Sequence, residues 1–375
     1  MSSQLPEFVD KLILDGTKVG WYPERIAAWR RGERISPVHC DAAWTRKCQA
    51  ACHFCFASLQ ASDEGGVITK DIAFDFLSDA AEIGIKGISL ISDGESTLVP
   101  YYAESIEHAV KVGLKIGAGS NGIVLKKPIL ERILPLLSFL RFNFSGGERQ
   151  RFAQIMGLSQ SMFDVVVQNI RDGMAVIKKH NLACTLNMLL VLHPDDVDQI
   201  IPFAKLAAEL APTYALIKHC SDGDEGQLGV DYSKYNYVDD ALMEAERIGE
   251  RAGVNIKIKW NRIKSKCGRT YSRCYGPAFQ MQVSGNGLVA PCGLKFNSKF
   301  AALHLGNLCR TRFRDIWASD RYMEVMSYLA SDQFDPRYRC SPGCLQDPTN
   351  AFLFEYVNGR VALPTAPPPE HLEFI

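Results

Sequence analysis

Residues 45–58 read TRKCQAACHFCFAS and set Cys48, Cys52 and Cys55 on the spacing Cys-x3-Cys-x2-Cys. A structural zinc site and a fully ligated [4Fe–4S] cube each take four protein ligands. This stretch offers three thiols and no fourth. Either a distant residue completes a zinc knuckle, or one metal position is left open for something other than protein.

Composition narrows where such a centre would work. The chain has 375 residues, 47% of them hydrophobic, with 42 basic against 42 acidic side chains. That length predicts about two domains and a sizeable core. The balanced charge gives no electrostatic footprint for nucleic acid or an anionic membrane, so neither is expected as a partner. The opening MSSQLPEFVDKLILDG has no apolar signal core, and no run approaches the roughly 20 apolar residues of a membrane span. A soluble, cytoplasmic protein is expected. In a reducing cytosol its 12 cysteines point to metal ligands and small buried residues rather than disulfides. Ten of them fall in two groups: Cys48, Cys52 and Cys55 near the start, with Cys40 just before, and Cys267, Cys274, Cys292, Cys309, Cys340 and Cys344 in the last third, with Cys184 and Cys220 lying between. Two metal centres in two domains fit that layout.

Working outward from the triplet, strand-like and helix-like stretches alternate. PVHCDAAW (37–44) predicts a strand leading into the cysteine loop. Strands are expected again at 87–92, 114–120, 139–147, 182–192, 213–220 and 255–260. Between them, apolar residues at helical spacing predict helices over 70–84, 101–113, 127–137, a region reaching about 180, a segment after His193-Pro194, and 238–252. About six βα units in order predict an α/β fold with a parallel sheet or a part-closed barrel. Such folds carry their sites at the C-terminal ends of the strands, where the cysteine loop emerges.

Three thiolates can hold three irons of a [4Fe–4S] cube and leave the fourth iron open. A Cys-x3-Cys-x2-Cys loop after the first strand of a (βα)6 array resembles the radical S-adenosylmethionine (SAM) superfamily. The resemblance implies a partial (βα)6 TIM-like barrel in which the open iron chelates the SAM amino and carboxylate groups. An electron from the cluster then cleaves SAM to methionine and a 5′-deoxyadenosyl radical. It implies metal ligation by Cys48, Cys52 and Cys55, with Phe54 as the aromatic beside the last cysteine. SDGEST (92–97) stands where the family has a Gly-Gly-Glu-Pro stretch that binds the SAM ammonium. Gly94 and Glu95 match, while Asp93 and Ser96 depart from it. A carboxylate at a strand end suits an ammonium. Ser145 after strand four, Asn187 in strand five and Arg149 or Arg151 on the next helix are further candidates for SAM contacts. SNG (120–122) is a candidate for the pocket wall.

The last third carries a second signal. Cys274, twelve residues, Gly287, four residues and Cys292 precede a GN…W stretch and Cys340-x3-Cys344. This resembles the SPASM/twitch extensions of the same superfamily, where a β-hairpin and a helix hold an auxiliary [4Fe–4S] cluster. The Cys-x2-Cys-x5-Cys segment of a full SPASM domain is missing, so the one-cluster twitch arrangement fits better. Cys274, Cys292, Cys340 and Cys344 would be its ligands. A four-cysteine zinc ribbon is the alternative. The implied organisation is an N-terminal extension (1–36), a barrel (37–260), an auxiliary domain (261–350) and a tail (351–375). Head and tail are not explained by the resemblance, although Arg30, Arg31 and Arg34 on a helix near 22–33 are expected to be exposed.

The implied activity is hydrogen abstraction from a polar small molecule, sugar or aminocyclitol-like, ending in dehydrogenation. Alternatives are an epimerase with a cysteine hydrogen donor, a peptide-modifying maturase, and, outside enzymes, a zinc-binding structural protein. Cys220 ends the sixth strand and Cys267 lies outside the auxiliary pattern, so both are candidate donors. Lys218, two residues before Cys220 on the same face, is a candidate for contact with substrate or its proton. The partners implied are a small-molecule substrate and an electron donor such as flavodoxin or ferredoxin.

Overall fold

The computed structural model describes residues 15–62, 65–266 and 268–375. Its frame is one sheet, and alternation along each strand sets which side chain faces where. After α1 (Pro23–Arg30) the chain enters β1 (His39–Ala42). Then follow α2 (Lys70–Glu82), β2 (Gly87–Leu90), α3 (Tyr102–Lys111), β3 (Lys115–Ser120), α4 (Lys127–Ile133) and β4 (Phe139–Asn143). Two helices, α5 (Arg149–Met156) and α6 (Ser161–His180), lead to β5 (Thr185–Leu192). After it come α7 (Ile200–Leu210), β6 (Tyr214–His219), α8 (Asp239–Ala252), β7 (Ile256–Ile258) and α9 (Trp260–Lys264). The last third holds β8 (Gln280–Val283), β9 (Leu288–Ala290), β10 (Gly306–Asn307), α10 (Phe313–Ala318), α11 (Asp320–Ala330), α12 (Pro336–Arg339) and α13 (Asp347–Val357).

The strand order is β10-β9-β8-β1-β2-β3-β4-β5-β6-β7. Strands β8 and β1 to β7 pair in parallel, while β9 and β10 fold back antiparallel. The six βα units anticipated from the sequence are present, and β7 adds a seventh strand at one edge. The auxiliary hairpin β8–β9 continues the same sheet past β1.

Local chemistry explains the helices. Thr69 caps α2 by accepting from Ile72 N, and Gly84 ends that region at φ 96. Helix α6 buries Phe163, Val166, Val167, Ile170, Gly173 and Val176 along one stripe. It stops at Asn181, with Lys178, Lys179 and His180 in the last turn facing the negative end of its dipole.

Cys40, Ala42, Ile88, Leu90, Leu140, Phe142, Leu186, Met188, Ala215 and Ile217 pack outward into the main core. The alternate residues therefore face the lumen. Asp41, Ile91, Gly119, Arg141, Asn143, Val191 and Lys218 each keep accessible surface there. The inward face of the sheet therefore mixes charged and polar side chains with apolar ones.

Head and tail, which the sequence left unassigned, close the opposite end. Phe374 packs edge-on against His39 and Phe139, with ring centroids 5.4 and 5.0 Å away. His371 meets Thr185 Oγ1 at 3.2 Å, and Lys18 Nζ donates to the His371 carbonyl at 2.7 Å. His39, Phe139 and Thr185 are each the first residue of a strand, so the tail plugs the N-terminal end of the barrel. Trp29 stacks edge-on against Tyr275 and Phe279 at 5.0 and 5.5 Å, binding the head to the last third. Arg30 and Arg31 are exposed as expected, but Arg34 is not: it is half-buried and donates to the carbonyls of Trp317 and Ser319. Among the described residues no helix is long and apolar enough to cross a membrane.

Candidate functional site

The cysteine triplet sits in the loop that leaves β1, at the C-terminal end of the parallel strands. One side of the loop is bound to the turn after β2 and to α3. Trp44 N donates to Ser96 Oγ at 3.1 Å, Trp44 Nε1 to Ser105 Oγ at 2.9 Å, and Glu95 N to the Lys47 carbonyl at 2.9 Å. Gly94 stands at φ 99, and a Cβ there would lie 2.1 Å from the Thr45 carbonyl oxygen. Only glycine allows that approach. The other side rests on α5: Ala51 N donates to the Met156 carbonyl and His53 N to that of Ile155, at 3.0 and 3.1 Å.

His53 Nε2 meets Asp196 Oδ2 at 2.8 Å, and Arg151 bonds the other Asp196 oxygen at 3.0 Å. His53, His193 and Asp196 bring three potential ligand atoms within 4.8 Å of one another. With Asp196 already held by His53 and Arg151, the group is a brace for the loop.

Cys48 is exposed, and Cys52 and Cys55 are half-buried. Burial pushes all three thiols above their usual range, and the neighbouring thiols raise Cys52 further. Three thiols forced together and protonated are poorly placed unless a cation binds them as thiolates. That chemistry fits an iron–sulfur cluster with one open position.

Glu95 lies beside them in the turn that follows β2, where it caps a short 3-10 helix (Ser96–Leu98), and is 3% exposed. Its Oε1 accepts from Thr97 Oγ1 at 2.7 Å and Ser120 Oγ at 2.8 Å, and its Oε2 from Asn121 N at 2.8 Å. Burial nevertheless pushes its carboxyl upward. Oε2 retains a lone pair for a further donor such as an ammonium. Asn121 also points its Nδ2 at Cys48 Sγ, 3.7 Å away, so the SNG segment touches the triplet.

The other residues singled out from the sequence scatter. Phe54 lies between two cysteines, and its carbonyl accepts from Cys220 Sγ at 3.8 Å. Cys220 is buried at the end of β6, with its N donating to Tyr235 Oη at 2.9 Å. Ser145 Oγ accepts from Val191 N at 3.1 Å and so serves the sheet. Arg149, 61% exposed, is bound to Asp164 on the outer surface. Asn187 faces the lumen but is the third residue of β5, far down the barrel from the triplet. Lys218 also faces the lumen. Cys267 lies outside the described residues.

Asp93 was not anticipated. Its Oδ2 accepts from Ser284 Oγ at 2.6 Å, its Oδ1 from Gly285 N at 2.8 Å, and it pairs with Arg46 Nε at 3.0 Å. The departure from the Gly-Gly-Glu-Pro pattern therefore ties three parts together: the turn after β2, the cysteine loop and the turn of the auxiliary hairpin. Its unusual residue type was the only signal in the sequence.

The second centre is enclosed. Cys274, Cys292, Cys340 and Cys344 all line one cavity. Burial, together with Cys344, pushes Cys292 up to about 12. Burial and the other three thiols push Cys274 well above its usual range. Four half-buried thiols around one cavity fit a fully ligated cluster.

Their loop is pinned from outside. Arg262 donates to the Pro342 carbonyl and pairs with Asp347, both at 2.8 Å. Arg269 binds the Ser341 carbonyl, and Lys295 Nζ donates to that of Arg339 at 3.1 Å. Gln346 Nε2 donates to the carbonyls of Gln280 and Pro291, each at 2.9 Å. Cys309 is kept apart, packed against Gly66.

Comparison with known proteins follows the same division. Residues 43–207 match the family described as Radical SAM superfamily, and residues 274–345 match SPASM, an iron–sulfur cluster-binding domain. The AdoMet-dependent heme synthase of Methanosarcina barkeri (strain Fusaro / DSM 804) is 22% identical over 300 residues, 73% of this chain and 81% of the relative. Streptococcus suis SuiB bound to precursor peptide SuiA superposes with a TM-score of 0.62 at 16% identity, covering 87% of this chain and 74% of that one. Native anSMEcpe with bound AdoMet gives 0.59 at 14% identity, covering 86% and 98%. These structural likenesses are of fold.

Proposed function

Because this chain belongs to the radical SAM superfamily and carries a C-terminal SPASM domain, we propose that it oxidises an unactivated carbon of a small molecule held in the barrel lumen. SAM, the SAM-binding [4Fe–4S] cluster and an auxiliary cluster are its cofactors. When bound, they supply an electron to SAM and yield methionine and the hydrogen-abstracting 5′-deoxyadenosyl group. Cys48, Cys52 and Cys55 hold the first cluster, and Glu95 Oε2 accepts the SAM ammonium. Cys274, Cys292, Cys340 and Cys344 hold the second.

The observation that supports oxidation is the closure of the second centre. With four cysteines around one cavity, no position is left for substrate, and electron acceptance is the remaining task. Loss of a hydrogen atom, then an electron and a proton, completes a two-electron oxidation, as from an alcohol carbon to a carbonyl. Asp93 keeps the hairpin of the acceptor centre fixed on the loop that holds the first cluster. An external reductant such as flavodoxin or ferredoxin reloads the exposed triplet side.

Epimerisation has one observation in its favour, the Cys220 thiol at the end of β6. That thiol is buried and donates to the Phe54 carbonyl, so it is engaged by the protein itself and oxidation is the preferred reading.

The test is product analysis with anaerobically reconstituted enzyme, SAM, dithionite and metabolite fractions. Oxidised product together with 5′-deoxyadenosine supports the reading. A product of unchanged oxidation level that carries solvent deuterium overturns it in favour of the epimerase.

A further inference from the structure

The lumen below the SAM site is chemically lopsided. Arg141 on β4 and Asn187 on β5 are paired neighbours in the sheet, and Asn187 pairs in turn with Tyr214 on β6. Alternation turns all three inward. Asn187 is 1% exposed, and neither its Oδ1 nor its Nδ2 has a hydrogen-bond partner. A buried amide with both ends unpaired costs stability unless a ligand satisfies it.

Arg141 Nε donates to Asn143 Oδ1 at 3.0 Å. Among the described residues its two terminal nitrogens have no partner, and neither has the Lys218 ammonium. The carboxylate near them among the described residues, Asp41, is taken by the amides of Gln280 and Gln282 at 3.1 and 2.8 Å and lies 3.3 Å from His39. Two inward cations therefore face one engaged anion. Beside them, Leu189, Leu216 and Val191 form a small apolar wall with Tyr214.

We infer that the lumen binds the carboxylate of a substrate with an apolar body, the carboxylate set between Arg141, Asn187 and Lys218. This rests on the proposed function and names its substrate class. The planar guanidinium takes a carboxylate bidentately, the Asn187 amide donates a further bond, and Lys218 adds charge. An aminocyclitol, cationic at neutral pH, meets two like charges in the same space. Burial, with Arg141 and Lys259 as neighbouring cations, pushes Lys218 down to about 8, against the opposing pull of Asp41 and Cys220. Its charge, and so its hold on an anion, fades as pH rises through that value.

The experiment is equilibrium dialysis of the anaerobic holoenzyme, loaded with SAM, against 3-phenylpropionate and its neutral amide. The acid is expected to bind about tenfold more tightly than the amide. Arg141→Gln should erase that preference, Arg141→Lys should keep part of it, and Lys218→Met should remove its decline above pH 8. Equal binding of acid and amide, or an unchanged preference in both Arg141→Gln and Lys218→Met, would overturn the inference. The same preparations are assayed for 5′-deoxyadenosine with dithionite. Release without acid preference sinks the substrate class alone. Acid preference without release sinks the radical reaction and leaves the anion site standing.

Discussion

The two cysteine centres are built on opposite plans. The triplet spans a short loop and is held by backbone bonds to the turn after β2 and to α5, with Cys48 exposed. The quartet draws on Cys274, Cys292, Cys340 and Cys344, closes around one cavity, and is gripped by Arg262, Arg269, Lys295 and Gln346. In the proposed reading, the first centre would leave a coordination position open beside a carboxylate, and the second would leave none. Openness is what lets a cluster bind a substrate or cofactor, and closure restricts it to carrying electrons. The contrast makes separate failures predictable.

The largest effect should come from the open centre. Changing Cys48, Cys52 and Cys55 together to alanine should remove about four irons and all 5′-deoxyadenosine formation. Iron analysis and chromatography check this. Retained SAM cleavage would break the contrast at its root.

Removing the four auxiliary cysteines should also cost about four irons, yet leave SAM cleavage in place while oxidised product disappears. A variant that still turns over substrate would show the closed centre to be structural.

Gly94→Ala comes next. The positive φ and the contact with Thr45 force a rearrangement, costing on the order of 1–3 kcal/mol. Thermal melts of the holoenzyme and SAM affinity should both fall, and an unchanged melt and affinity would show the loop to be more yielding than its geometry states.

Asp93→Asn should be the mildest. It keeps the size but loses the ion pair with Arg46, so SAM cleavage should persist while product per SAM cleaved falls about two- to fivefold. An unchanged ratio would separate Asp93 from the coupling of the two centres.

Much of the fold was legible because its signals are local. Strand and helix alternation needs only neighbouring residues, and cysteine spacing within the triplet is fixed by the chain. What was not legible depends on partners far apart in sequence. Asp93 meets Ser284 and Gly285, some 190 residues away. The tail residues His371 and Phe374 close the barrel bottom against β1, β4 and β5, some 190 to 340 residues away in the sequence. Arg34 looked like a surface charge until Trp317 and Ser319 supplied carbonyls. Ser145 and Arg149 have the right chemistry for SAM, but a backbone amide and Asp164 hold them here. Side-chain direction at a strand end or a helix start cannot be read from residue type.

The central claim is that the first centre is open and the second closed. It is tested most directly by electron paramagnetic resonance of the reduced enzyme, with each set of cysteines removed in turn and with or without SAM. The signal of the variant lacking Cys274, Cys292, Cys340 and Cys344 should shift when SAM is added, while that of the variant lacking Cys48, Cys52 and Cys55 should not. A SAM-induced shift in the latter, or its absence in the former, would contradict the account.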